Sequence, residues 1–538
     1  MLTEKGPLSK IGPKVAVDRS LPFHESLIHM LWHAVEGRPD GVAVIYQDRS
    51  ITYREFGRAC NGMAALLDSL GLEPGPIVIM MPNSIEMDIA LMAVMSAGAQ
   101  VAPVNPFFTV PEVCKVLDGF GARAIVCDAS TRDKAHAVAD KIGVTHVVTV
   151  GEGDEPLSQW TADARLDLRP AKMPKAGDLA LSIFSGGTTG VPKGIDHTHR
   201  GLMWGLIQHL SVWPIPFGEG VFLNVAPMFH IWGLTYATWV PIFTAGTLVM
   251  VPRYDPDEMV RALAAHRVSI FAGGPAPIYL GLLRSPLFDQ VDLSALKYCP
   301  SGGAPCPQDL HREWLERTGC PLLEGWGMSE GAPFCLNRYD GQRKLLSVGN
   351  PVPETEVEVV DLETGTRVLP MGEAGEVRVR GPQMMIGYHN KPDETAYALR
   401  DGYMYTGDIG YVDEDGFLFL VDRKKEMIIV GGYNVYPREI DEVLFNHPAI
   451  REAATVGKRD DRLGEVVVAF VAVKKGADLD EEAFFAYCRE NLVKYKRPVE
   501  VTFIDALPRT GTNKIDRIAL RAMAAEKSPD QNRSFSAN

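Results

Sequence analysis

Short runs of Val, Ile and Met, each closed by turn residues and separated by stretches of helical period, most constrain how this 538-residue chain can fold. GVAVIY (41–46), PIVIMMP (76–82), AIVCD (124–128), THVVTV (145–150) and ALSIF (180–184) read as strands. Between them, ITYREFGRACNGMAALLDSL (51–70) and IEMDIALMAVMSAGA (85–99) read as helices. Strands this uniformly apolar are buried on both faces, so helices must cover both sides of the sheet and the class is α/β. The texture changes after residue 350. VEVV (357–360), GEVRVRG (375–381) and GFLFLVD (416–422) alternate apolar with polar residues or lie beside glycines, which predicts a β-rich subdomain. Past the charge cluster Asp422–Lys425, AATVG, VVVAFVAV, the helix DLDEEAFFAYCRENL and VEVTFID make a compact α+β unit. The final EKSPDQNRSFSAN has the composition of a frayed tail.

Charge excludes one class of partner. Lys and Arg number 54 against 68 Asp and Glu, a formal net charge of −14. Such a chain lacks the overall positive field that draws proteins onto nucleic acid, so any polyanion must be held by a local constellation. None of the eight cysteines forms a CxxC pair, and the first seventeen residues contain no apolar core of a secretion signal. A reducing, cytoplasmic location is the expectation. From Val221 to Pro252 the chain carries no Asp, Glu, Lys or Arg, long enough to span a bilayer. Pro227, Gly233, Pro241 and Gly246 punctuate it, so a buried strand, a loop, a helix and a second strand are expected instead of a membrane span.

The strongest local signal follows ALSIF directly: Ser185-Gly186-Gly187-Thr188-Thr189-Gly190-Val191-Pro192-Lys193-Gly194. Glycines let a backbone curl its N–H groups around an anion, and hydroxyls with one lysine add donors. This is a phosphate cradle in physical terms, where glycines alone would suit a plain turn. It is not a Walker A loop, because no Gly-Lys-Ser/Thr closes it and a proline precedes the lysine. No GxGxxG follows a strand as a dinucleotide fold requires.

Five more segments follow in order: PMFHIWG (227–233), EGWGMSE (324–330), YTGD (405–408), DRKKE (422–426) and PRTGTNK (508–514). With the glycine loop they make the chain resemble the adenylate-forming superfamily of acyl-CoA synthetases, aryl-CoA ligases, luciferases and peptide-synthetase adenylation domains. The resemblance runs from about residue 25 to about 520. It implies a large N-terminal domain of mixed β-sheets flanked by helices with a β-rich subdomain, and a small mobile α+β C-terminal domain. The expected bounds are an N-terminal extension at 1–25, the adenylation domain at 26–422, a hinge at 423–425, the mobile domain at 426–525 and a tail at 526–538. The activity implied is the joining of a carboxylate to ATP to give an acyl-adenylate and pyrophosphate, then passage of the acyl group to a thiol, usually that of coenzyme A.

Residue by residue, the resemblance implies that Ser185, Gly186, Gly187, Thr188, Thr189, Gly190 and Lys193 handle the β- and γ-phosphates. Glu330 would hold Mg²⁺ with help from Thr188, and Ser329 fills the hydroxyl position before it. Asp408 would accept both ribose hydroxyls, a task for a group that only accepts. Gly302, Gly303 and Ala304 look like the backbone strip beside adenine. Within Glu324, Gly325, Trp326 and Gly327, the indole stands where the family usually has tyrosine against the base. Lys514 is the expected adenylation catalyst, a point cation reaching both the carboxylate and the α-phosphate. A preorganised donor of that kind contributes about 3–4 kcal/mol in the transition state. Arg423 takes the basic position near the ribose, and Lys425 the hinge about which the small domain turns. Gly431, Gly432 and Tyr433 would border a pantetheine channel. Lys494, Lys496 and Arg497 would meet CoA phosphates, although a basic run is commonly a solvated face.

His230 matches a histidine near the carboxylate and acyl channel, where a satisfied core histidine is the plain alternative. FHIWG offers no Asp for an α-ammonium, which argues against amino-acid substrates. Ile231, Trp232, Gly233, Ala272, Gly273, Gly274 and Ala276 join His230 as pocket candidates, apolar or small throughout. A hydrophobic monocarboxylate is therefore expected, either a medium- to long-chain fatty acid or an aryl or alicyclic acid. Two positions depart from the family pattern. Gly186 loses a hydroxyl donor, which costs about 0.5–1.5 kcal/mol. Asn513 replaces the glycine before the catalytic lysine and still tolerates left-handed backbone. Transfer to a carrier-protein pantetheine, a luciferase-like oxygenation and a non-catalytic ligand-binding homologue stay open as alternatives. The cofactor set is ATP, Mg²⁺ and coenzyme A, with no nucleic acid partner and a homodimer left open.

Overall fold

The structure, a computed structural model, describes residues 7–151, 155–184, 192–303, 306–460, 462–510 and 515–526. Every apolar run read as a strand forms one. The central eight-stranded sheet runs, edge to edge, Gly387–Tyr388, Gly194–Thr198, Leu179–Phe184, Gln100–Pro103, Pro76–Met80, Ala124–Cys127, His146–Gly151 and Glu155–Pro156. From Leu179–Phe184 to Glu155–Pro156 all pairs are parallel, while Gly194–Thr198 turns back and Gly387–Tyr388 pairs antiparallel to it. Pro76–Met80 and Ala124–Cys127 are buried along their whole length, as strands covered on both faces must be.

The covering helices begin where the sequence supplies caps. Thr52 and Glu55 form a reciprocal capping box at the start of Tyr53–Ser69, and the Ser84 hydroxyl accepts from the Met87 N–H to open Ile85–Ser96. Ile85–Ser96 is apolar nearly all round and lies in the core. The uncharged stretch folds as expected: strand Val221–Asn224, a loop, a helical segment over 231–243 and strand Thr247–Met250. Its middle, Leu234–Trp239, is wound as a π-helix, with the Val240 N–H donating to the Thr235 carbonyl. Both strands join Val42–Tyr46 and Ile270–Phe271 in parallel within a second, five-stranded sheet. Among the described residues no helix is long and apolar enough to cross a membrane.

A six-stranded antiparallel sheet carries Glu356–Val360, Gly375–Arg380, Tyr403–Val412 and Leu418–Arg423, the β-rich region read from alternation. The N-terminal segment is stitched to this sheet: Lys10–Ile11 pairs with Glu358 and Val357. A four-stranded sheet contains the hairpin Leu322–Met328 and Gly331–Leu336. Beyond it lies a separate five-stranded sheet of Ile428–Val430, Tyr433–Val435, Ile450–Asp460, Gly464–Val473 and Glu500–Phe503, packed on Pro437–Phe445, Glu481–Asn491 and Arg517–Glu526. The chain is thus a large N-terminal domain of mixed sheets and a smaller α+β C-terminal domain. Seven of the eight cysteines are buried.

Candidate functional site

Three sheets deliver their residues to one region. Asp408 of Tyr403–Val412 lies in register with Arg423 of Leu418–Arg423, so strand pairing alone sets the carboxylate beside the guanidinium. The Arg423 Nε donates to Asp408 Oδ1 at 2.9 Å, and the Trp326 indole Nε1 donates to Oδ2 at 3.0 Å. Thr406 holds the strand beneath: its Oγ1 donates to the Val377 carbonyl at 2.6 Å and accepts the Asp408 N–H at 3.1 Å. A buried carboxylate oriented by two donors keeps lone pairs for a further diol, since each oxygen accepts more than one hydrogen bond. Trp326 is wedged edge-on against Phe334, which fixes its plane.

Glu330 sits in the turn of the hairpin that carries Trp326, and it is buried. Burial raises the affinity of its carboxyl for a proton, opposed by the Tyr388 hydroxyl and the charge of Arg423. The Tyr388 hydroxyl donates to Glu330 Oε1 at 2.9 Å. The preceding Ser329 is pinned through its carbonyl, which accepts from His197 Nε2 at 2.7 Å. A desolvated carboxylate held in one orientation is a hard oxygen donor that a cation would favour, so the residue fits a divalent metal. Lys193 opens the strand Gly194–Thr198, pairs with Glu394, and holds its ammonium 4.9 Å over the Tyr388 ring.

Glycine positions on the other side make room for one indole. Trp232 donates from Nε1 to the Ala272 carbonyl at 3.1 Å. A Cβ on Gly302 would lie 2.8 Å from that indole, and one on Gly274 3.5 Å from it. Gly233 has no alternative, because a Cβ there would reach the Pro227 carbonyl oxygen at 2.0 Å. Of the pocket candidates, Trp232, Ala272 and Gly274 thus meet the strip at Gly302, with Gly303 in left-handed backbone (φ 78°), whereas Gly273 lies against Phe271 and Tyr279 and Ala276 packs in the core that holds Tyr279 and Cys299. His230 caps the short helical turn after it, its Nδ1 accepting the Trp232 N–H at 3.2 Å.

Other expected residues have local partners. Glu324 is buried and accepts from the Cys306 N–H at 3.0 Å and from His311 Nε2 at 3.2 Å, so it braces the strand beneath the strip. A Cβ on Gly325 would lie 2.5 Å from Leu336, and one on Gly327 2.9 Å from Ala332, so close hairpin packing accounts for both. Gly431 and Gly432 take φ 57° and 86° between Ile428–Val430 and Tyr433–Val435. That is a two-residue hairpin turn needing left-handed backbone twice, which glycine supplies without strain. Tyr433 stacks on Tyr495 at 4.6 Å, Lys496 pairs with Glu439, and Arg497 donates to the Leu492 and Arg489 carbonyls. Lys494 begins the short turn Lys494–Lys496 beside them. Lys425 keeps solvent access, yet partial desolvation and then the charge of Arg423 lower its ammonium pKa to about 8. Ser185, Gly186, Gly187, Thr188, Thr189, Gly190, Ala304 and Lys514 lie outside the described residues. Sequence reasoning missed Tyr388 and Glu394. The only signal for either is a strand pairing across some 190 residues, which no local pattern announces.

The chain is similar to known proteins over most of its length. The sequence profile described as "AMP-binding enzyme" matches residues 31–389, and that described as "AMP-binding enzyme C-terminal domain" matches 439–514. A long-chain-fatty-acid–CoA ligase of Bacillus subtilis (strain 168) is 34% identical over 550 residues, covering 96% of this chain and 98% of its own. A 4-coumarate–CoA ligase 3 of Oryza sativa subsp. japonica is 32% identical over 544 residues, covering 96% and 95%. The crystal structure of ATP-bound MatB from Rhodopseudomonas palustris superposes with a TM-score of 0.87 at 32% identity, covering 93% of this chain and 99% of that one.

Proposed function

Because the chain belongs to the AMP-binding enzyme family, we propose that it is an acid–CoA ligase that activates a hydrophobic monocarboxylate with ATP. The observation that carries the reading is the buried Asp408, held open-handed by Trp326 and Arg423, in a chain similar over nearly its whole length to CoA ligases of both fatty and aryl acids. In this reading Asp408 accepts the ribose hydroxyls, Trp326 and the strip at Gly302 and Gly303 border adenine, and Lys193 faces the β- and γ-phosphates. A carboxylate oxygen of the acid attacks the α-phosphorus as pyrophosphate leaves, with Lys514 between the two anions. The thiol of CoA then attacks the acyl carbon and AMP departs. Glu330, with Thr188, would hold Mg²⁺, whose charge offsets that on the triphosphate oxygens.

The two half-reactions need different donors at one centre, which gives a small domain (426–525) turning on 423–425 its purpose. Gly431, Gly432, Tyr433, Lys494, Lys496 and Arg497 then belong to the CoA-facing surface. The apolar lining by Ile231, Trp232, Ala272 and Gly274 supports a hydrophobic acid, because a second substrate carboxylate would find no cation there.

The test is pyrophosphate release from Mg-ATP across fatty acids of several lengths, benzoates, cinnamates and cyclohexanecarboxylates, each with and without CoA. CoA-stimulated turnover confined to one class is expected. Equal release with and without CoA would favour a carrier-protein acceptor, and silence across the panel would refute the ligase.

A further inference from the structure

The partner of Lys193 is built into the fold. Tyr388 and Gly387 pair with Ile195 and Asp196, directly after Lys193. The His389 N–H donates to the Gly194 carbonyl at 2.9 Å, and the His389 ring bonds Asp196 at 2.8 Å. The Tyr388 N–H donates to Thr395 Oγ1 at 2.9 Å, which ties the helix Pro392–Ala398 to the same strand. Glu394 is one residue before Thr395, so its height against Lys193 is set by backbone bonds and not by a chance meeting of two long side chains. Lys391 lies 3.5 Å from the other Glu394 oxygen and steadies it.

We infer that Glu394 is the resident counter-ion of Lys193, occupying the ammonium until the β- and γ-phosphates of a nucleotide displace it. The inference rests on the phosphate-facing role proposed for Lys193. Both side chains are part-exposed, 29% for Lys193 and 38% for Glu394, so water screens the pair and it yields readily to a denser anion. The ammonium stays over the Tyr388 ring meanwhile, the same ring whose hydroxyl bonds Glu330. Glu394 is therefore a positioning residue: it holds the lysine extended toward the phosphates and competes with them.

The measurement is equilibrium binding of Mg-ATP and of AMP to the full chain without acid. Glu394→Gln should tighten ATP about three- to fivefold, as expected for loss of one weak competing ion pair, and leave AMP unchanged because AMP lacks the displaced contacts. Asp393→Asn removes the same formal charge one residue away and should shift ATP less than twofold. If Asp393→Asn matches Glu394→Gln, if ATP and AMP move together, or if neither moves, the counter-ion role is overturned while the ligase reading stands. Absence of ATP binding by the unaltered chain would overturn both.

Discussion

Tyr388 connects the two charged groups that the proposed chemistry needs closest together. Its hydroxyl is 2.9 Å from Glu330 and its ring lies under Lys193. Glu330 is desolvated, so each hydrogen bond to its charged form counts for more than one on a surface. Tyr388→Phe keeps the ring and loses that bond. The Mg²⁺ concentration giving half-maximal ATP binding should rise about tenfold, as expected for one bond to a charged group, with KM for the acid unchanged. A raised acid KM at unaltered Mg²⁺ dependence would assign Tyr388 to the acid pocket instead. Roles at this scale were unevenly legible. Asp408 and Trp326 stand in short recognisable segments, and the structure brings them together. Glu324 stands in one of the same segments, but its carboxylate is taken by His311 and the Cys306 N–H, a contact that depends on how the preceding helix, Gln308–Thr318, folds back on the strand.

At the scale of elements, the π-helix Leu234–Trp239 is tied to the core helix Ile85–Ser96 by one bond, from Thr238 Oγ1 to Asp88 Oδ1 at 2.6 Å. Asp88 is buried among apolar side chains, and desolvation pushes its carboxyl up to about 7. Unfolded, it titrates near 3.9, so the folded chain binds the extra proton between about pH 4 and 7. The contribution to stability is therefore full below pH 4, declines as pH rises to about 7 and is flat above, with an amplitude of order 4 kcal/mol. Asp88→Asn should flatten denaturant-measured stability over that window relative to the parent chain. An unchanged slope would show that Asp88 is ionised in the fold.

The apolar runs and capping residues made most elements readable, because local composition decides them. The edge strand Lys10–Ile11 was not readable. Two residues carry no period, and only the partner Glu356–Val360 makes them a strand. The glycine pair at 431–432 was visible as a special position. Its left-handed hairpin geometry became apparent only once both flanking strands were in place.

For the whole molecule, the proposed function requires an ordered sequence of events at a single centre. The residues proposed to meet the nucleotide are carried by three sheets of the large domain, while Lys514 falls in the sequence of the small one. Asp422 and Arg423 end the last strand of the large domain, and the Arg438 N–H of the small domain donates to Asp422 at 2.9 Å. Lys425 follows, and its carbonyl accepts from Arg521 at 3.0 Å. Arg438 also donates to the Leu420 carbonyl at 2.6 Å, and Lys424 pairs with Glu376 at 2.8 Å, so several bonds cross this stretch. The two-domain arrangement was legible because patterning and charge change at the same place. The substrate class within the hydrophobic acids was not, because pocket depth depends on how Trp232 packs on Gly274 and Gly302. In the proposed reaction the acid is bonded to AMP before it meets a thiol. The most direct measurement is a turnover with a carboxyl-¹⁸O-labelled acid that the panel identifies as a substrate, followed by mass analysis of AMP, pyrophosphate and phosphate. One ¹⁸O is expected in AMP for each acyl-CoA formed, because the attacking carboxylate oxygen leaves on the α-phosphorus. Label in phosphate, or AMP without label, would contradict it.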